Sequence, residues 1–203
     1  MSAAAAAFAD HGFDGATVDL IARKARVNKA MINYHFGGKE GLYHAILLAT
    51  FTPAVERMKA LLDSDQPADQ QLKEFVDLFA GLVGRQPRFP AMMLREVLSG
   101  GRHMDEEVLP LFLTVFSTVR EIVVKGIGSG QLRSVDPLLT HLSLIGALVF
   151  YFATEPLRDR LFAEGKLPVA KQPPAAFVKH MQEMVARGLA AELPKGAPGS
   201  AGD

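Results

Sequence analysis

Along most of the chain apolar residues recur at every third or fourth position and rarely alternate, which is the period of amphipathic helices rather than of half-buried strands. Proline and glycine cut this pattern into segments. The first block, from Ala3 to about Leu48, predicts three short helices, separated by Gly12-Phe13-Asp14-Gly15, by Ala25-Arg26-Val27 and by Gly37-Gly38. A fourth helix opens near Lys39 and reaches about Asp63, with Pro53 inside it as an expected kink.

Beyond that point the segments lengthen. Pro67 to about Gly84 places Leu72, Phe75, Val76, Phe79 and Val83 on one face. Pro90 to Ser99 comes next and closes at Gly100-Gly101. Glu106 to about Gly126 carries Leu109, Phe112, Leu113, Phe116, Val119 and Val123 at helical spacing. Asp136-Pro137 is an N-cap and first-turn pair for Leu138 to Ala153. Thr154 is placed to cap a short helix through Phe162, and Pro174 to about Leu193 forms a last helix. No stretch reads as a strand, so the expected fold class is all-α.

Composition narrows what such a chain can do. Its 203 residues suit one packed domain, or a small module joined to a larger one. Lys and Arg together number 22 and Asp and Glu 22, so any surface for nucleic acid must be local rather than global. The absence of cysteine excludes disulfides, thiolate metal sites and thiol catalysis, and fits a reducing cytoplasm. The alanine run from Met1 to Phe8 carries no basic leader and does not read as a secretion signal. Leu138 to Ala153 is shorter than the ~20 residues a bilayer requires and contains His141, so it reads as a buried helix. A cytoplasmic location without membrane contact is expected.

The polar inventory argues against catalysis. His11, His35, His44, His103, His141 and His180 form no H-E-x-x-H pair. Gly37-Gly38-Lys39 lacks the rest of a phosphate-binding loop, and Glu96, Asp105, Glu106 and Glu107 read as a solvated helix end. Neither an enzyme, a metal site nor a cofactor is expected.

Chemistry concentrates between residues 17 and 42. Thr17 is placed to cap the helix that begins Val18-Asp19-Leu20-Ile21-Ala22, with Asp19 at its positive end and Leu20 and Ile21 inward. Asn28 is placed to cap a second helix, Lys29-Ala30-Met31-Ile32-Asn33-Tyr34-His35-Phe36. Val27, Ile32 and Phe36 are expected to face the first two helices, leaving Lys29, Ala30, Asn33 and Tyr34 outside. That outer face combines a small residue for close approach with an amide able to pair with adenine, a lysine and a phenol. From Leu20 to Lys39 the chain holds Arg23, Lys24, Arg26, Lys29 and Lys39 and no carboxylate. A local cationic frame of this kind suits phosphate.

These residues, from Thr17-Val18-Asp19-Leu20-Ile21-Ala22 through Val27-Asn28-Lys29 to Asn33-Tyr34-His35-Phe36-Gly37-Gly38-Lys39-Glu40-Gly41-Leu42, resemble the signature of the TetR/AcrR repressors. The match covers roughly Phe8 to Leu48. The resemblance implies that Thr17 meets a phosphate, that Asn28, Lys29, Ala30 and Met31 approach base edges, and that Asn33, Tyr34, His35 and Lys39 mostly hold the DNA backbone, with Phe36 as core. Three positions depart from the family pattern. Arg26 stands at a usual turn glycine, Asn33 replaces an aromatic residue, and few residues precede Ala7-Phe8, where the family has a longer first helix with a basic start.

The expected organisation is a three-helix helix-turn-helix DNA-binding domain at residues 1–48, a helical ligand-binding and dimerisation domain at 49–193, and a flexible tail at 194–203. In the second unit Phe79, Met92, Met93, Phe112 and Phe116, with His103, His141 or Arg95 as polar contacts, suit a pocket for an apolar or aromatic effector. Leu142, Ile145, Gly146, Val149 and Phe150 on one helix, and Phe177, Met181, Met184 and Val185 on the last, are expected to form a homodimer interface. The expected partner is palindromic double-stranded operator DNA, because one recognition helix reads too few base pairs alone. The expected function is a repressor that a small-molecule effector releases. The alternative is an interaction protein that keeps the fold but has lost DNA binding through its shortened first helix.

Overall fold

The computed structural model describes residues 1–191. These form ten helices: α1 Ser2–Gly15, α2 Val18–Ala25, α3 Lys29–Phe36, α4 Lys39–Leu62, α5 Ala68–Gly84, α6 Phe89–Leu98, α7 Val108–Gly128, α8 Pro137–Ala153, α9 Glu155–Ala163 and α10 Pro174–Leu189. The one extended pairing among the described residues is a single bridge between Leu132 and Ala190. The fold is all-α, as the periodicity predicts.

The small side chains of the opening alanine run bury Ala4, Ala5, Ala7 and Ala9 with Phe8, and α1 packs on both α2 and α6. The segment Gly12 to Gly15, expected as a break, instead continues α1 past a kink. Gly12 takes φ 71° and ψ 176°, a conformation with positive φ that costs glycine little, and helical geometry resumes after it.

α4 crosses residue 48 without interruption, so the domain boundary placed there falls inside one continuous rod. It packs on α3, α5 and α7. Pro53 sits within it at an exposed position, where the missing N–H leaves no buried acceptor orphaned. Phe75, Leu72, Met58, Ile122 and Leu148 fill the interior of the helical body.

α8 is buried on one side only. Asp136 caps it as expected, accepting the Leu139 N–H at 2.8 Å, and Leu144, Leu148 and Phe152 face the core. Leu138, Leu139, Leu142 and Phe150 stay about half or more exposed, which corrects the reading of a wholly buried helix. Thr154 does not cap α9; its hydroxyl donates backward to the Phe150 carbonyl at 2.6 Å. α6 begins at Phe89, α7 only at Val108, and α10 ends at Leu189 rather than near Leu193. The tail at 194–203, expected to be flexible, lies outside the described residues. No single helix among the described residues is long and apolar enough to cross a membrane. α8 and α9 are so only when taken together, and they meet at a 50° bend.

Candidate nucleic-acid interface

α2 and α3 owe their ends to side chains the sequence places there. Thr17 Oγ1 accepts the Leu20 N–H at 3.1 Å, and Asn28 Oδ1 accepts the Ala30 N–H at 2.9 Å. Between them Arg26 holds a left-handed conformation (φ 56°, ψ 42°), while the Val27 N–H reaches back to the Ala22 carbonyl at 3.0 Å. An arginine in this position costs about 1 kcal/mol that glycine would not. The turn closes in spite of that substitution.

Burial separates the two faces of α3. Ile32 is buried and Phe36 half-buried, whereas Lys29, Ala30, Met31, Asn33, Tyr34 and His35 are exposed, Tyr34 at 84 %. Asn28 and Thr17 are exposed beside them. Val27 departs from expectation. Its side chain is 46 % exposed, because its residue is occupied in closing the α2 turn rather than packing inward.

The cationic frame is less free than its sequence implies. Lys24 pairs with Asp10 at 3.0 Å and Lys29 with Asp19 at 3.1 Å. The Asp10 carboxyl is held below its ordinary value, chiefly by the hydrogen bond from Lys24. Lys39 is turned inward: its Nζ donates to the Phe13 carbonyl at 3.0 Å and lies 4.3 Å from the centre of the Phe13 ring. It fastens α4 to α1 instead of extending toward a phosphate. Arg23 and Arg26 are exposed and make no ion pair among the described residues. They are the exposed cations of this frame without a carboxylate partner among the described residues, and the run from Leu20 to Lys39 that holds no carboxylate is the signal for it in the sequence.

A second cluster joins this head to the body. Glu96 of α6 is 3 % exposed, not part of a solvated helix end. Its Oε2 accepts from the Tyr43 hydroxyl at 2.8 Å and lies 2.9 Å from His103 Nδ1, and its Oε1 accepts the His103 N–H at 2.7 Å. Burial alone would raise the Glu96 carboxyl, but these donors from His103 and Tyr43 outweigh it and hold it low. Burial and the Glu96 charge push the Tyr43 phenol strongly up, so it stays a donor. His103 stacks on Phe13 of α1 with centroids 3.9 Å apart, and Arg95 Nε donates to the Ala9 carbonyl at 2.8 Å. The register of Phe89, Met92, Met93 and Glu96 on one face of α6 carries the signal for this burial.

The residues expected to line an effector pocket are not gathered in one place. Phe79, Met92 and Met93 are buried, on α5 and α6. Phe112 packs edge-on to Phe51, and Phe116 edge-on to His141. His103 lies at the head–body junction, where Met92 alone of this set lines the same cleft. Of the dimer residues, Leu142, Gly146, Phe150 and Met184 are exposed, and Ile145 and Val149 are half-buried. Met181 and Val185 are instead buried within the protomer, because α10 lies along α5, and Phe177 stacks on Tyr151 at 3.9 Å.

A capped helix-turn-helix with an exposed polar reading face, set on a helical body, defines a DNA-binding regulator. Residues 1–46 match the model described as bacterial regulatory proteins, tetR family, and residues 69–185 match the tetracyclin repressor-like C-terminal domain. The chain belongs to the tetR family of bacterial regulatory proteins. The HTH-type transcriptional repressor NicS of Pseudomonas putida is 29 % identical over 195 residues, spanning 93 % of this chain and 90 % of that protein. The uncharacterized HTH-type transcriptional regulator YhgD of Bacillus subtilis is 30 % identical over 157 residues, 74 % of this chain and 80 % of its own. In fold, the chain matches the ketosteroid transcriptional regulator KstR2 of Mycobacterium tuberculosis with a TM-score of 0.73 at 17 % identity, covering 93 % of this chain and 92 % of that one.

Proposed function

We propose that the protein is a dimeric repressor that binds a palindromic operator and leaves it when a small apolar or aromatic effector binds the helical body. The observation that carries the DNA-binding part is the exposed face of α3, where the side chains of Asn33 and Tyr34 make no hydrogen bond among the described residues and Ala30 allows close approach to base edges. Thr17, Arg23 and Arg26 flank it as phosphate contacts. The repressor reading is supported by the name of the Pseudomonas putida relative.

Dimerisation is supported by the apolar side of α8. Leu139, Leu142 and Phe150 are 63 %, 56 % and 67 % exposed, an area of apolar surface that a monomer has no reason to leave in water. Beside it, a cleft of about 650 Å³ separates α8 from α10 and is lined by Leu139, Ala147, Phe177 and Met184. Symmetry mates of these helices fill such a cleft with a four-helix contact, and two heads then meet half-sites about 34 Å apart.

The test is titration of the protein into its own upstream DNA. Two protomers per site are expected, with a steep loss of affinity as salt rises and a marked preference over random DNA. Asn33→Ala should change the preferred sequence. Binding by a monomer, or with no preference over random DNA, overturns the reading.

The effector is supported by one orphaned polar atom. Among the described residues His141 Nδ1 is buried without a hydrogen-bond partner, with its ring edge-on to Phe116 between α7 and α8. Burial lowers the His141 pKa, so the ring is neutral and can accept or donate to a ligand. B. subtilis FadR, whose fold aligns with a TM-score of 0.66 at 19 % identity over 92 % of this chain and 95 % of its own, is solved with stearoyl-CoA. A thermal-shift panel of hydrophobic and aromatic compounds should yield a stabiliser whose effect His141→Ala diminishes. A panel without any stabiliser counts against an effector of this class.

A further inference from the structure

Two lysines of the head are paired with carboxylates, and the two pairs are built differently. Lys24 and Asp10 meet at 3.0 Å with their side chains 35 % and 34 % exposed, and the other Asp10 oxygen takes Arg88 at 3.2 Å. That pair belongs to the fastening of α1 between α2 and the start of α6. Lys29 Nζ and Asp19 Oδ1 stand 3.1 Å apart with their side chains 60 % and 75 % exposed. Asp19 has no other polar side-chain partner among the described residues, and Thr17 rather than Asp19 caps α2. The pair spans the turn of the motif, from the first turn of α2 to the first residue of α3.

The two caps and the buried Ile21 and Ile32 already hold α2 and α3 in place. What the open pair changes is where the Lys29 charge can go. Lys29 begins the helix whose outer face carries Asn33 and Tyr34, so DNA approaching that face competes with Asp19 for the ammonium group. Magnitudes decide the contest. An exposed ion pair shifts an equilibrium by about one and a half- to fivefold. One lysine on a phosphate is worth about as much, since its share of the affinity lost between about 50 and 200 mM salt is about threefold. A lysine that donates to both O6 and N7 of guanine discriminates by roughly fivefold to more than a hundredfold. A phosphate therefore gains little by taking Lys29 from Asp19, whereas a guanine edge takes it outright.

We infer that Asp19 is a positioning residue that sets the specificity of the head: it holds Lys29 back from the phosphates of unrelated DNA and yields it to a guanine in the operator. The inference rests on the DNA-binding reading of α3 and adds to it a residue that itself touches no base.

The test is fluorescence anisotropy of the full chain with a labelled random-sequence duplex and with its own upstream duplex, between about 50 and 200 mM salt. Asp19→Asn should bind the random duplex about three- to fivefold tighter and steepen its salt dependence by about one phosphate contact. The upstream duplex should gain less, so the preference for it falls. In a Lys29→Gln background Asp19→Asn should leave the random duplex nearly unchanged. Asp65→Asn makes the same change of charge past the far end of α4 and should alter neither duplex. The proposal is overturned if Asp19→Asn leaves the random duplex and its salt dependence as they are, if the gain is as large in the Lys29→Gln background, if Asp65→Asn reproduces it, or if both duplexes tighten equally. A wild-type chain that binds neither duplex overturns the DNA-binding reading itself, and this inference with it.

Discussion

Gly41→Ala is expected to be the most damaging single methyl group that can be added to the DNA-binding head. A Cβ at position 41 would stand 1.7 Å from the Phe36 carbonyl oxygen and 2.9 Å from its carbon. Those atoms are backbone at the end of α3, so no rotamer change relieves the overlap, and the turn between α3 and α4 has to open. Overpacking typically costs 1–3 kcal/mol where side chains can yield; with backbone as the obstacle we expect about 3 kcal/mol or more. For a domain of this size that lowers Tm by roughly 6–12 °C. DNA binding should fall further than stability alone accounts for, because the displaced element is the reading helix. Gly81→Ala is the control. Nothing lies within 4 Å of the place its methyl group would take on α5, so it should be neutral or stabilising by up to about 1 kcal/mol. If both variants melt alike, the close approach of α4 to Phe36 has no energetic weight.

The second large effect is at Glu96. Glu96→Gln keeps the shape but replaces an acceptor-only carboxylate with a group that has one acceptor and two donors, facing three donors from Tyr43 and His103. At least one buried donor is left unpaired, for an expected loss of about 2–3 kcal/mol near neutral pH. The loss has a definite pH dependence. Glu96 has a folded pKa below its ordinary 4.5, so its charge contributes stability above 4.5 and surrenders it as pH falls through the lower folded value. Urea midpoints should therefore differ most near neutrality, and the gap should narrow as pH drops below 4.5. A gap that does not change with pH would show that the carboxylate charge is not what holds α4, α6 and the loop after α6 together.

These two sites differ in how legible they are in the sequence. Gly41 lies inside the stretch that resembles the family signature, yet the reason for glycine there is a contact with a carbonyl five residues earlier, which no local pattern displays. Glu96 falls on the apolar stripe of α6, in register with Phe89 and Met92. Its neighbours in sequence, Asp105 to Glu107, are solvated, and grouping it with them hides its burial. His103 is ambiguous for a related reason. A histidine beside apolar residues fits a ligand pocket as well as it fits a buried acid, and only its distance to Glu96 decides between them.

The helical body shows the same division. Helical period locates every long segment to within a few residues, since burying one face of a helix is a local arithmetic of spacing. It does not say what each face will meet. Met181 and Val185 carry the same kind of stripe as Leu142 and Phe150, yet the first pair is buried against the protomer's own helices and the second pair is left in solvent.

What the chain's own order of residues determined was the set of helices, their caps at Thr17, Asn28 and Asp136, and the outward chemistry of Lys29 to Tyr34, because capping and amphipathicity act over one or two turns. What the tertiary structure decided was which charges stay free. Lys39 turns to Phe13 and Lys24 to Asp10, while Arg23 and Arg26 make no ion pair among the described residues. Ion pairing depends on distances between segments far apart in the chain, and these are set only when the helices pack.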